Sequence, residues 1–216
     1  RAAEDAELGA GLRGVVAPFD RGGAAGEFVA DEVLHTELCA RVAMALGGAV
    51  PLEVDLERLV RPPSGARSLL RAAELVVRTC CVGEALTLPV LKTARERSAS
   101  PLIRGVLARV ARDEGGHAEL GAWFIDWASP LLTAEERARL GVVAGEALCA
   151  FAPIFAGPCA PGGDLGVLAC DAYDRAFARA ARRRVVGPLG ARGIVVRAAA
   201  LATLARAAPQ LDLDGA

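Results

Sequence analysis

The stretch DEVLHTEL at residues 31–38 returns in modified form as DEGGHAEL at residues 113–120, so the pattern DExxHxEL occurs twice. The sequence has only two histidines, His35 and His117, and each lies three residues after a glutamate. Residues three apart lie on the same face of an α-helix, about one turn from each other. Each motif can therefore direct a carboxylate and an imidazole at one metal ion.

A four-helix site that holds two metal ions takes one further glutamate from each of the remaining two helices. The separations from Glu84 to Glu114 and from Glu4 to Glu32 are nearly equal, which indicates two copies of one helix–helix unit. Glu7, one turn after Glu4, is the alternative ligand in the first helix. The predicted metal ligands are three from each half of the site, namely Glu4, Glu32, His35, Glu84, Glu114 and His117.

An aspartate stands immediately before the glutamate of each motif. A metal-bound imidazole usually donates its second N–H to a carboxylate or a carbonyl. We predict that Asp31 accepts this hydrogen bond from His117 and that Asp113 accepts it from His35. Glu119 lies about 200° round the helix from its histidine, so it is predicted to face outward or to hydrogen-bond a ligand rather than to bind the metal itself.

The composition favours helices, because alanine and leucine are abundant and both are strong helix formers. The positions of glycine and proline predict four helices, over residues 2–17, 25–47, 66–98 and 101–128. A long crossover over 48–65 separates the first pair from the second, and this is the topology of a ferritin-like bundle. We therefore predict an all-α fold, with a ferritin-like four-helix bundle in residues 1–128 and C-terminal helices in 129–216 that pack on it.

The sequence also predicts where helices begin in residues 129–216. Thr133 and Glu136 form a capping box, which predicts a helix to about residue 152. Asp164 is predicted to cap a helix that ends near Arg184, and another helix is predicted over 192–207. The arginines of residues 175–184 are interpreted as a solvated helix face, with a docking surface for an acidic partner as the alternative.

Two glycines, Gly115 and Gly116, interrupt the second motif. Each costs about 1 kcal/mol relative to alanine inside a helix. We predict that the pair marks a π-bulge or a close contact between helices, since both are common near metal sites of this kind.

Charge and hydropathy argue against other classes of function. The formal net charge is −1 with no basic stripe, which disfavours nucleic acid as a partner. No apolar run reaches about 18 residues, so no membrane-spanning helix is predicted. The six cysteines are predicted to be mostly buried thiols, with a Cys159–Cys170 bridge as the alternative. We expect a cytoplasmic location, or export if a leader before Arg1 is removed.

These motifs resemble those of the ferritin-like di-iron carboxylate superfamily. CVGE at 81–84 and ARDEGGHAEL at 111–120 are similar to segments that read CVGET and ADEARHAEL in a group of bacterial ferritin-like domain proteins. EDAEL at 4–8 resembles their EHASI more loosely. The resemblance implies two iron ions, or alternatively manganese or a mixed Fe/Mn pair, held by the six predicted ligands.

The resemblance further implies an oxidoreductase that activates dioxygen or peroxide and takes electrons from a donor, with an undefined organic substrate. A homodimer is one expected assembly. Three alternatives remain open: a ferroxidase or iron-handling protein, a di-manganese catalase-like protein, and a bundle that serves only as a scaffold.

Overall fold

A computed structural model describes residues 22–48, 67–151 and 164–207. Within these ranges the chain is helical and has no β-strand, which confirms the predicted all-α class. The predicted helix over 2–17 lies outside the described residues, as does nearly all of the crossover over 48–65. The ferritin-like bundle therefore stays a prediction.

The chain divides into two compact units, Arg1–Leu75 and Val76–Ala216. The predicted division into a bundle over 1–128 and an appendage over 129–216 also stays a prediction. None of the described helices combines the length and the low charge needed to cross a bilayer.

The first unit contains helix α1, Gly22–Ala45, which agrees with the helix predicted over 25–47. The chain leaves this helix at Gly47, whose φ of 79° lies in the left-handed region that favours glycine. Helix α2, Ser68–Val76, begins in the same unit and starts a longer helical run.

This run continues without a break through a π-helical segment, π1, Val77–Glu84, and then helix α3, Ala85–Arg97. It corresponds to the single helix predicted over 66–98. Apart from Arg78, every residue of π1 is buried. Because a π-helix has wider turns than an α-helix, it changes the directions of side chains relative to those of a regular helix.

Helix α4, Pro101–Ala128, confirms the predicted helix that begins after Ser100. The Ser100 side chain accepts a hydrogen bond from the backbone N–H of Ile103, and Pro101 occupies the first helical position. One face of α4 is buried and includes Glu114 and His117. The glutamate and the histidine of the second motif therefore lie on the buried face of this helix.

Helix α5, Ala134–Cys149, begins at the predicted capping box. The Thr133 side chain accepts a hydrogen bond from the Glu136 N–H, and the Glu136 carboxylate accepts one from the Thr133 N–H. The next helical run comprises α6, Cys170–Ala180, a second π-helical segment, π2, Ala181–Val186, and the short α7, Gly187–Gly190.

Two boundary predictions in this part of the chain are wrong. Asp164 does not cap a helix, because α6 begins only at Cys170 and the Asp164 carbonyl instead accepts the Ala99 N–H at 2.8 Å. The helix predicted from residue 192 begins at Ala198, as α8, Ala198–Ala207. Gly193 precedes it with a φ of +74°, which a right-handed helix does not allow.

The second unit is built around π1, which packs against α4, α5 and π2. Helix α3 packs against α4 and α6, and α8 packs against α5. The largest fully buried side chains come from nearly all of these elements and include Leu86, Phe124, Leu140, Phe177 and Leu204. Their common core fixes α4 against π1, the two elements that carry the polar cluster described next.

Candidate metal centre

Three ionisable side chains of the second unit are buried close to one another. Glu84 is the last residue of π1, and Glu114 and His117 lie one turn apart on α4. Their exposed fractions are only 4%, 2% and 3%. Each offers one ligand atom, and these atoms lie within 4.8 Å of one another. The structure thus brings together three of the six predicted ligands.

Local sequence explains the position of each side chain. The i, i+3 spacing on α4 places His117 Nδ1 at 3.2 Å from Glu114 Oε2. Glu84 belongs to a helical turn in which the Thr87 hydroxyl donates to the Gly83 carbonyl at 3.0 Å. The same hydroxyl lies 3.5 Å from Glu84 Oε2, so it also limits where that carboxylate can turn.

This cluster, Glu84–Glu114–His117, fits a first-row divalent metal ion. Such ions lie about 2.1 Å from oxygen and nitrogen ligands, so two ligands of one ion are at most about 4.2 Å apart. Ligand atoms within 4.8 Å need only small side-chain rotations to reach that spacing. Two carboxylates and one imidazole also suit iron or manganese better than the sulfur-rich sets of structural zinc sites.

The first motif has the same local geometry within the first unit. His35 Nδ1 lies 3.4 Å from Glu32 Oε1 on α1, and both residues are 5% exposed. The repeated sequence therefore produces a repeated carboxylate–imidazole pair, each buried on its helix. That Glu32 and His35 serve the same centre as Glu84 stays a prediction, and Glu4 lies outside the described residues.

The two aspartates are partly buried, and the partners of one are defined. Asp113 accepts a hydrogen bond from Arg109 Nε at 2.6 Å, and Arg112 Nε lies 3.4 Å from its other oxygen. The hydrogen bonds predicted between Asp31 and His117 and between Asp113 and His35 join residues of different units and stay predictions.

The prediction for the glycine pair is wrong. Helix α4 is α-helical through Gly115 and Gly116, without a π-bulge. Among the described residues, a Cβ atom added at either glycine meets no atom within 4 Å, so no described helix packs closely against the pair. Close contact occurs instead at Gly121, where an added Cβ would lie 2.7 Å from the Cys80 Cβ.

Sequence reasoning missed a cavity of about 670 Å³ that the glycine pair borders within the second unit. Arg183 and Arg184, in π2, line this cavity and are exposed, which agrees with their interpretation as a solvated face. That interpretation did not anticipate a concave surface beside them. The adjacent arginines and the adjacent glycines were the available signals, but neither pair reveals that the other lies nearby.

The cysteines have varied environments. Cys80 and Cys81 are buried free thiols, as predicted, whereas Cys39 is exposed. Burial raises the pKa of Cys81 to about 12, against a smaller opposing effect of the Arg192 charge. Cys159 lies outside the described residues, so its bridge to Cys170 stays a prediction.

Comparisons of the chain with protein-family models, with curated proteins and with solved structures gave no significant match. The ferritin-like resemblance of the motifs therefore stays a prediction. A functional assignment depends on the geometry and chemistry of the residues themselves.

Proposed function

We propose that this chain is a non-haem metal-dependent oxidoreductase that reduces dioxygen or peroxide, with iron as its metal. The buried cluster Glu84–Glu114–His117 carries the proposal. Two carboxylates held this close in the interior repel each other, and burial removes the water that would solvate their charge. A divalent cation bound between them offsets both costs.

The protein residues have defined roles in this proposal. Glu84 and Glu114 supply anionic oxygen ligands, and His117 supplies a neutral nitrogen ligand. Three protein ligands leave further positions of an ion open for a small oxidant. Iron held by these residues would supply the redox chemistry needed to reduce dioxygen or peroxide. Burial of the three side chains keeps bulk water from the ligands and holds their geometry.

The duplicated motif extends the proposal to two ions. Glu32 and His35 repeat the carboxylate–imidazole spacing of Glu114 and His117, and both are buried. We propose them as ligands of a second ion, with Glu4 as the sixth ligand by its place in the sequence. An electron donor and a small organic substrate complete the proposed reaction.

Anaerobic loading of the full chain with Fe(II), followed by desalting and metal analysis, tests the binding. We expect two ions per chain for the wild type. The H117A variant should lose at least one of them, because its imidazole is replaced by a methyl group. The E119Q variant is the matched control, since Glu119 is an exposed carboxylate on the same helix. Wild-type protein that retains no iron contradicts the whole proposal.

The H35A variant separates one ion from two. We expect it to retain no more than one iron per chain, with the weaker remaining site still dependent on His117. If H35A retains the wild-type amount of iron, the two-ion part of the proposal is wrong, whereas the cluster of the second unit still stands.

Turnover experiments test the redox role. Fe(II)-loaded protein should consume dioxygen or peroxide, and H117A should do so at no more than the rate of free Fe(II). Continued dioxygen consumption with a reductant indicates an oxidase or oxygenase, whereas one round of iron oxidation indicates an iron-handling protein. Peroxide disproportionation by Mn(II)-loaded protein alone would instead support the catalase-like alternative.

A further inference from the structure

We infer that the second unit also binds a small organic anion, in the cavity of about 670 Å³ next to π1, α4 and π2. Cavities of this volume are typical of sites for small organic ligands. None of the residues Glu84, Glu114 and His117 lines this cavity, so it is distinct from the metal cluster.

The floor of the cavity is apolar. Cys81, Leu88, Ile125 and Leu189 line it and are at most 8% exposed. Burial raises the pKa of the Cys81 thiol to about 12, so this thiol adds no charge to the cavity well beyond physiological pH. The floor therefore suits a hydrocarbon body rather than a second charged group.

The rim of the cavity is basic. Its arginines come from α4, π2 and the turn after α7, and they are Arg112, Arg183, Arg184 and Arg192. Arg192 is held by Asp126 through hydrogen bonds of 2.6 and 2.9 Å, and Arg112 lies beside Asp113. Within the described residues, no ion pair involves Arg183 or Arg184. These two guanidinium groups can therefore bind an external oxyanion. Glu119 is the one carboxylate among the lining residues that the structure describes.

Three features that are unusual in helices lie beside this cavity, namely two π-helical segments and a pair of adjacent glycines. Cys80 and Cys81 belong to π1, and Arg183 and Arg184 belong to π2. The third unusual feature is the glycine pair of α4, where added Cβ atoms would project into open space. π-Helical turns are uncommon and occur frequently at functional sites, and glycines inside a helix cost stability. Their convergence on one concave surface indicates that the space is kept open for a ligand.

The cavity and the metal cluster lie on neighbouring faces of α4. Gly115 and Glu119 line the cavity, at about 100° and 140° round the helix from Glu114. His117 lies on the other side of Glu114, at about −60°. A ligand in the cavity thus approaches α4 from a different direction from a metal held by Glu114 and His117.

The predicted occupant combines an oxyanion head with an apolar body. Guanidinium groups bind carboxylate and phosphate alike through paired, charge-assisted hydrogen bonds. Arg183 and Arg184 would bind the oxyanion head at the rim of the cavity. The apolar body would contact the cysteines and leucines that line its floor. Suitable probes are decanoate, decyl phosphate, neutral 1-decanol and inorganic phosphate.

Titration calorimetry on the full chain, without added metal, measures binding. We expect saturable binding of decanoate or decyl phosphate, at least about tenfold tighter than that of 1-decanol. The tighter of the two identifies the head group. The R183A/R184A variant should bind about 10- to 100-fold more weakly. The R179A/R197A variant is the matched control, because both arginines are exposed and neither lines the cavity.

Two further variants guard against a simple loss of folding. E119Q should bind the anion about two- to fivefold more tightly, because it removes a repulsive charge from the rim. G116L should abolish binding while the helix keeps or gains thermal stability, because the new side chain occupies the cavity.

Equal binding of 1-decanol and decanoate, wild-type affinity in R183A/R184A, or no binding of any probe would each overturn the proposal. Inorganic phosphate that binds as tightly as decyl phosphate would exclude a role for the apolar floor and likewise overturn it. Since no metal enters the measurement, its result is independent of iron binding by H117A and of the proposed redox function.

Discussion

Gly121 allows α4 and π1 to approach closely, whereas Gly116 on the same helix faces open space. An added Cβ at Gly121 would lie 2.7 Å from the Cys80 Cβ and 3.2 Å from the Cys80 carbonyl carbon. Backbone atoms cannot move aside as a flexible side chain can. We therefore expect G121A to lower the free energy of unfolding by about 1–3 kcal/mol, as overpacking usually does.

G116A is the matched control for this prediction. It should raise the free energy of unfolding by up to about 1 kcal/mol, because alanine is the better helix former and its methyl group meets no atom within 4 Å. Urea denaturation of both variants measures the difference. Equal effects of the two substitutions would show that helix propensity, and not the contact with Cys80, determines the result.

The buried thiol of Cys81 makes stability depend on pH at the alkaline end. Burial raises its pKa from an ordinary 9.0 to about 12. The folded state thus keeps the proton while the unfolded state loses it, so this contribution is complete below pH 9.0 and disappears towards pH 12. We expect the free energy of unfolding to fall more steeply with rising pH in the wild type than in C81A. Parallel pH profiles would contradict the assignment.

At the scale of single residues, the sequence predicted the carboxylate–imidazole geometry of the two motifs. It did not predict the surroundings of Gly115 and Gly116. The i, i+3 pairs follow from helix periodicity alone, and both pairs formed, at 3.2 Å and 3.4 Å. Glu84 was predicted because a site of this kind takes one further glutamate from the helix that precedes the motif, and its separation from Glu114 is close to that of Glu4 from Glu32. What an added Cβ at Gly116 would meet depends instead on elements distant in the chain, so no local pattern revealed it.

The helix starts are local features, and α5 offers a direct test of one. The Thr133 side chain accepts the Glu136 N–H at 3.2 Å, and the reciprocal bond measures 2.8 Å. T133A should cost about 1 kcal/mol of unfolding free energy, because an N–H at the start of the helix loses its protein partner. T203A is the control, since the Thr203 hydroxyl donates to the Ala199 carbonyl within α8 and accepts from the exposed Arg206 side chain, and neither bond caps a helix start. Thermal denaturation that ranks T203A as the more harmful change would contradict this account.

At the scale of elements, helix starts were predictable where a side chain makes the cap, as at Ser100 and Thr133. The π-helical segments were not, because π1 and π2 contain residues that would equally suit an α-helix. Their wider turns are stabilised by packing, since π1 contacts both α5 and π2. The error at Asp164 has a related origin, because its backbone carbonyl binds Ala99 from another part of the chain.

At the scale of the whole molecule, the helical class followed from composition, whereas pairing between distant residues did not. Asp126 on α4 and Arg192 after α7 lie 66 residues apart and form two hydrogen bonds. Many carboxylates and arginines of this chain would have been equally plausible partners. The pair joins the C-terminal part of the second unit to the helix that carries Glu114 and His117.

This pair should contribute a modest, pH-dependent stability. The Arg192 hydrogen bond lowers the pKa of Asp126, so the contribution is complete above the ordinary value of 3.8 and is lost as the pH falls through the lower folded value. Because the Asp126 side chain is 57% exposed, solvent screens the pair, and D126N should cost no more than about 1 kcal/mol at neutral pH.

Urea denaturation of D126N near neutral pH and again at about pH 2 tests this prediction. We expect the difference in unfolding free energy from the wild type to vanish in acid. D171N is the control, because Asp171 pairs with Arg175 one turn away on the same helix, and we expect a smaller change. A D126N difference that persists unchanged in acid would mean that the asparagine perturbs packing rather than charge.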